Sequence, residues 1–411
     1  MAPAPIIPTL SIIWGLVLAG LGLIFPFYAL YLRENAGLTG TEVGLVAATL
    51  PLMGVLVQPM WGQVADRTGL RGRVLAVLAL GTAAGYALLS RAQSFEDFLL
   101  YTALLALFST ATIPACMSVS LALLPEPSSQ AFGRVRVVGT LGFGVSVGAF
   151  PFLLRALRDA GFVASKSEAS SGEPGLHVMF YVAGVLLLLA SLASLALPRR
   201  GAVSLRASQG EWRTLLSNRL FVRLLIYAFF AYLSMQGPMV LFPILVRAQG
   251  GGLEAVSQMW LIMLVLEVPL VFYFGAGVAR MGPRGVIAIG MAAGALRWGV
   301  SGFAEDLRWV YLAQALHGVT VWGIILGAPV YVDAVVPARL RSTAQGLLAM
   351  VGVSLGSILS NVGAGWLTDA VGPRAPAQLA GLMGLALTLV LPWMLPPAER
   401  PAEAEGSEDA R

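Results

Sequence analysis

The sequence predicts an all-α membrane protein, with twelve transmembrane helices in two pseudo-symmetric six-helix bundles. Composition is the first reason. Of 411 residues, 57% are hydrophobic and 11% are charged, and the mean hydropathy is +0.81. A soluble domain carries about a quarter charged residues, so too little polar surface exists here to face water. Twelve apolar runs are the second reason, each near the roughly 20 residues that a spanning helix needs. The third is a turn that returns. Gly62, Asp66, Gly69 and Arg71 define the spacing Gly-x3-Asp-x2-Gly-x-Arg. Gly275, Ala279, Gly282 and Arg284 repeat it 213 residues later with Ala in the Asp slot, and Gly365, Asp369, Gly372 and Arg374 repeat it in full. A return at about half the chain length suggests a duplicated architecture.

The runs fall at 9–32, 42–64, 73–91, 97–123, 135–158, 176–197, 219–246, 255–278, 284–304, 308–333, 341–366 and 375–396. The first has no basic stretch ahead of it and no small-residue cleavage site after it, so it reads as a retained helix and not a signal peptide. It carries Gly15, Gly20, Gly22 and Pro26. The second and third runs are joined by the first copy of the turn. The fifth run holds Gly139, Gly142, Gly144 and Gly148, and the eleventh holds Gly352, Gly356 and Gly363. Small residues let membrane helices pack closely and slide, and these two runs occupy the same place in each half. Between the fifth and sixth runs lies a long polar outer loop, 159–175, with no domain in it. The longest polar connection, Pro198 to Ser217, carries Arg199, Arg200, Arg206 and Arg213. It divides the chain into an N-terminal bundle (1–197), a cytoplasmic linker (198–218) and a C-terminal bundle (219–397). The stretch 398–411 has no apolar face and is expected to be a disordered tail. With both termini cytoplasmic, inner connections hold about twice as many Lys and Arg as outer ones, the bias expected of a bacterial-type inner membrane protein.

The repeated turn has a physical logic of its own. Glycines permit tight connections and unusual backbone angles. Asp66 can pair with a basic residue or accept from the N-terminus of a neighbouring helix, while Arg67, Arg71 and Arg73 hold the loop on the cytoplasmic side. The turn serves either as a topological anchor or as a gate latch between the halves; the latch is the favoured reading, and Ala279 weakens it for the second copy.

Three ionisable residues fall inside consecutive apolar runs: Glu267 in the eighth, Arg297 in the ninth and His317 in the tenth. A charge at mid-membrane costs roughly 2.5–3.5 kcal/mol by insertion scales, so isolated ones are rare. An acid, a base and an imidazole can compensate one another, and the protonation of Glu267 then depends on how near Arg297 comes. Such dependence suits proton coupling; a static pair tying helices together is the plainer alternative. Further candidate cavity residues include Gln236, Gln314, Tyr31 and Asn361, which suit a small polar or aromatic solute.

The turn resembles the signature of the major facilitator superfamily. Phe132-Gly133-Arg134-Val135-Arg136, and Arg297 followed by His317, resemble the lactose permease and its relatives. Leu316-His317-Gly318 and Thr343-Ala344-Gln345-Gly346 are similar to the nucleoside and phenylpropionate permease branches. The resemblance implies the major facilitator fold and an alternating-access proton symporter, with Arg136 gripping solute and Arg297, His317 and Glu267 coupling protons. Two departures make a galactoside doubtful: the fourth-helix carboxylate is replaced in Pro114-Ala115-Cys116-Met117-Ser118, and Thr320 stands where the permease carries its proton carboxylate.

The expected function is secondary active transport of a nucleoside, aromatic acid or oligosaccharide-like solute, with a proton-antiport exporter of drug-like molecules as the alternative. A non-transporting sensor or scaffold would have little use for the buried trio. One cysteine and two histidines argue against a disulfide or a metal site. No nucleotide fingerprint or catalytic triad spacing appears, so no cofactor and no enzymatic activity are expected. The pI near 9.6 reads as membrane topology and not as nucleic-acid binding. The expected partners are the solute, protons and lipid, and the expected state is a monomer.

Overall fold

The computed structural model describes residues 6–124, 128–163, 172–198 and 212–397. Most of the expected linker, the centre of the 159–175 loop and the whole tail 398–411 lie outside the described residues. Among the described residues, twelve helices are long and apolar enough to cross a membrane. They are α1 (Ile6–Asn35), α2 (Gly40–Thr68), α3 (Arg71–Leu89), α4 (Phe95–Leu123), α5 (Ala131–Asp159) and α6 (Val178–Leu195), then α7 (Arg219–Val240), α8 (Leu253–Leu270), α9 (Phe274–Phe303), α10 (His317–Val335), α11 (Ala338–Ala370) and α12 (Ala375–Met394).

The packing repeats with a period of six helices. In the first half α1 lies on α5 and α6, α2 on α4, and α3 on α4 and α6. In the second, α7 lies on α11 and α12, α8 on α10, and α9 on α10 and α12. The halves meet where α2 crosses α11 and where α5 crosses α8, two seams related by the same shift. Close approach explains part of each glycine row. A Cβ on Gly142 of α5 would strike the Gly15 carbonyl of α1, and one on Gly356 of α11 would meet the Phe229 carbonyl of α7 at 2.7 Å. At the α2–α11 seam Gly44 and Gly365 likewise leave no room for a Cβ.

The second glycine of every turn copy, its third marked position, has a backbone angle that favours glycine: φ is +64° at Gly69, +68° at Gly282 and +131° at Gly372. Gly282 interrupts the helical geometry inside Phe274–Phe303. The transmembrane segment of Glu267 therefore runs on towards Met281 after a hitch at Tyr273, and the ninth effectively begins at Pro283.

One end of the bundle is fastened across the halves. Arg247, between α7 and α8, donates to Glu34 of α1 at 2.7 and 3.1 Å and to Glu173, before α6, at 2.8 Å. Arg158 of α5 holds the other oxygen of Glu173 at 2.8 Å, and Arg155 reaches Glu254 at 2.9 Å. Burial would draw the Arg247 guanidinium down, but its bonds to Glu34 and Glu173 outweigh that and hold it above its ordinary value. At the same end Asp369 of α11 accepts from the Gly40 and Thr41 amides, both at 2.7 Å, and from the Thr41 hydroxyl at 2.8 Å. The third turn copy thus caps the N-terminus of α2 across the seam. At the opposite end Asp66 pairs with Arg71 at 3.1 Å inside its own turn.

Candidate functional site

Arg297 lies in the last third of α9 with 2% of its surface exposed. Its Nε donates to Gln314 Oε1 at 2.9 Å, and its Nη1 meets His317 Nδ1 at 3.0 Å. Nη2 points at the sulfurs of Met239, at 3.3 Å, and Met263, at 3.6 Å. The guanidinium also lies 4.3 Å from the centre of the Trp298 ring. Gln314 is itself fixed by donating to Ser301 Oγ at 3.2 Å and to the Val310 carbonyl at 2.8 Å. It closes the short helix Leu307–Gln314, and a break at Ala315 and Leu316 then turns the chain into α10, placing His317 at its first position.

A guanidinium has only donors, so His317 Nδ1 must accept. The neutral imidazole then carries its proton on Nε2, a tautomer assigned from this bond. Nε2 lies 3.7 Å from Glu267 Oε2. Gln314, Arg297, His317 and Glu267 therefore form one polar file that starts in a sealed core and ends at a carboxylate with 28% of its side chain exposed. The file brings together the three ionisable residues singled out by sequence and one of the amides.

Glu267 sits near the seam with α5, where Ser257 donates to the Val147 carbonyl at 2.6 Å and Leu261 and Leu264 rest on Gly144. Across that seam the charge of Arg136 acts on Glu267. The Arg136 guanidinium lies 4.9 Å from the centre of the Trp14 ring, and Trp14 is pinned by donating to Ser120 at 2.9 Å. Arg136 Nη1 is enclosed and has no hydrogen-bond partner. A donor so placed is costly to leave unmade.

Trp260 is a residue that sequence reading missed. It is 5% exposed and stands edge-on to Phe25 of α1 at 5.3 Å, with Phe143 of α5 at 5.8 Å and His317 at 6.5 Å. It plugs the space between the halves on the fastened side of the file. The signal was available, because Trp260 lies two turns before Glu267 on the same helical face.

The remaining candidates are spread out. Asn361 is buried on α11 with its Oδ1 unpaired. Gln236 is half-buried on α7. The Tyr31 ring packs edge-on against Phe98 and Phe180 within the first half, away from the file. Gly62, Asp66, Arg67, Gly69 and Arg71 lie at the far end of α2, where Gly62 and Gly69 have open space around them.

A profile of the MFS_1 like family matches residues 7–376. The chain is 27% identical over 375 residues to the uncharacterized transporter YwbF of Bacillus subtilis, covering 90% of each chain. It is 28% identical over 359 residues to a maltose permease of Geobacillus stearothermophilus, covering 86% of each. Its fold is similar to the crystal structure of the nucleoside transporter NupG, with a TM-score of 0.79 at 18% identity, covering 95% of this chain and 99% of that one. With twelve spanning helices, a doubled six-helix packing and a match along nearly its whole length, the chain belongs to the MFS_1 like family of the major facilitator superfamily.

Proposed function

We infer that this chain, a secondary transporter, moves a small polar solute by alternating access together with a proton, and that Glu267 carries the proton. The observation behind this reading is the file Arg297–His317–Glu267, set in three consecutive helices and running from a buried guanidinium to a partly exposed carboxylate near the seam between the halves. A proton on Glu267 changes what its neighbours must neutralise, and the seam is where rocking of the halves would change those neighbours. The bundles 1–197 and 219–397 are the moving bodies. The proposed setting is a bacterial inner membrane with both termini cytoplasmic. The end fastened by Arg247 and Asp369 is then the outer one, and this form is closed to the outside. A relative named as a maltose permease and another named as a putative nucleoside transporter support a polar solute of sugar or nucleoside size. The chain is proposed to act as a monomer.

Reconstitution tests this. Proteoliposomes of the wild type are expected to accumulate solute in response to an imposed pH gradient, and those of Glu267→Gln are not. Equal uptake in the two would remove Glu267 from the mechanism. A failure to move any solute would favour a sensor.

A further inference from the structure

We propose that the transported solute is an organic anion, a carboxylate or an acid of similar charge, whose negative group docks on Arg136. This rests on the coupling role given to Glu267 above.

The charges around the file do not balance. Among the described residues, three at least partly buried groups around the file carry charge: Arg136 in the second turn of α5, Glu267 of α8 and Arg297 of α9. His317 is held neutral by accepting from Arg297. Glu267 is the one acid of the three, set against two guanidiniums in all, so the site carries one positive charge in excess. Among the described residues no carboxylate pairs with Arg297. Arg136 is worse served, because its enclosed Nη1 meets neither a carboxylate nor any other acceptor. His317 of α10 faces Glu267 at 3.7 Å, and Arg136 of α5 lies within reach of its charge without forming an ion pair with it. Arg297 stands behind the imidazole, and Cys116 of α4, buried as a thiol, adds no charge. Among the described residues no second acid takes up the surplus.

Protonation sharpens the need. When Glu267 takes a proton, Arg136 loses the one negative charge acting on it. An incoming carboxylate restores it and gives Nη1 its acceptor. With Glu267 ionised, the same carboxylate is repelled. Proton and anion therefore favour each other's binding, and by linkage the preference is mutual. One proton and one monoanion together add no net charge, so the empty and fully loaded forms carry the same charge through the membrane. The Trp14 face beside Arg136 adds an apolar wall that suits a hydrocarbon or ring next to the acid group.

The test uses the purified full-length protein and pairs of probes that differ only in charge: lactate, benzoate and 3-phenylpropionate, each beside its amide, with maltose and uridine as neutral controls. Between pH 6 and 8 the acids stay ionised. At least one acid is expected to raise the melting temperature where its amide does not. Its Kd should tighten as pH falls, by at most about tenfold per pH unit, the limit for one linked proton. Glu267→Gln should bind that acid tightly with no pH dependence. Arg136→Gln should lose binding, while Arg136→Lys, which keeps the charge, should retain part of it and guard against misfolding. Uptake of the acid in proteoliposomes should follow a pH gradient and ignore an imposed membrane potential. If the amides, maltose or uridine stabilise the protein as well as the acids do, or if no acid does, the anion proposal falls. In that case, pH-driven uptake of a neutral solute would leave the proton-coupling reading standing, and loss of all pH-driven uptake would take that reading with it.

Discussion

Arg297 keeps a full charge in an almost waterless place because three kinds of neighbour share it: an amide oxygen, an imidazole nitrogen and two sulfurs. None is a carboxylate, so the arrangement depends on hydrogen-bond geometry more than on charge cancellation. Leaving a buried donor unmade costs about 1–3 kcal/mol, and more for a charged group. Gln314→Leu removes the acceptor of Nε and is expected to lower thermal stability by roughly that amount; an unchanged melting curve would mean that Nε finds water instead. His317 faces both ways, accepting from Arg297 at Nδ1 and turning Nε2 towards Glu267 at 3.7 Å. His317→Phe removes both links and is expected to cost stability and to abolish pH-driven uptake together. His317→Gln can still accept and donate, so it should recover most of the stability without restoring coupling. Recovery of neither would show that the ring shape, against Trp260, matters more than its nitrogens.

The elements were largely legible because two signals coincide in them. Apolar run length gave the twelve helices, and the turn spacing marked where pairs of them meet. Gly69, Gly282 and Gly372 show why the spacing persists even where Asp is replaced by Ala279: the backbone needs glycine at the third position whatever the carboxylate does. Which copy latches the halves was not legible, because that depends on which ends of α2 and α11 are together in a given state. Asp66 was the expected latch, and in this form Asp369 makes the cross-half contact. Likewise Gln314 could be picked out as a polar residue in an apolar run, but its bond to Arg297 depends on how the break before α10 turns the chain. A carboxylate capping a helix N-terminus contributes about 0.5–2 kcal/mol. Asp369→Asn is therefore expected to favour opening of this end by roughly two- to thirtyfold, since 1.4 kcal/mol is a factor of ten. Spin labels at Gln93→Cys and Glu305→Cys in a Cys116→Ser background would report it as a larger long-distance population. An unchanged distance distribution would reduce the Asp369 cap to a local contact.

At the scale of the whole molecule, the fastening of one end is shared among several contacts and does not rest on one bond. Arg247 joins Glu34 and Glu173, Arg158 supports Glu173 from the other side, and Arg155 and Asp369 add separate ties. A gate of this kind can open in a rocking cycle only if no single tie is too strong, and it stays shut at rest because all of them must let go together. The role of protonation differs between the gate and the centre. Arg247 is held above its ordinary value by its two carboxylate partners, so its contribution is fully present below that value and is lost only as pH rises past it, beyond the range in which the protein operates. The gate should then be indifferent to alkali while the Glu267 site is not. With the centre silenced by Glu267→Gln, the spin-label distance across this end is expected to stay constant from about pH 7 to 10. Arg247→Ala should widen the distance throughout that range. Opening of the Glu267→Gln protein on the alkaline side would show that a proton other than the one on Glu267 works the gate, and the division of labour between the centre and the rim would have to be given up.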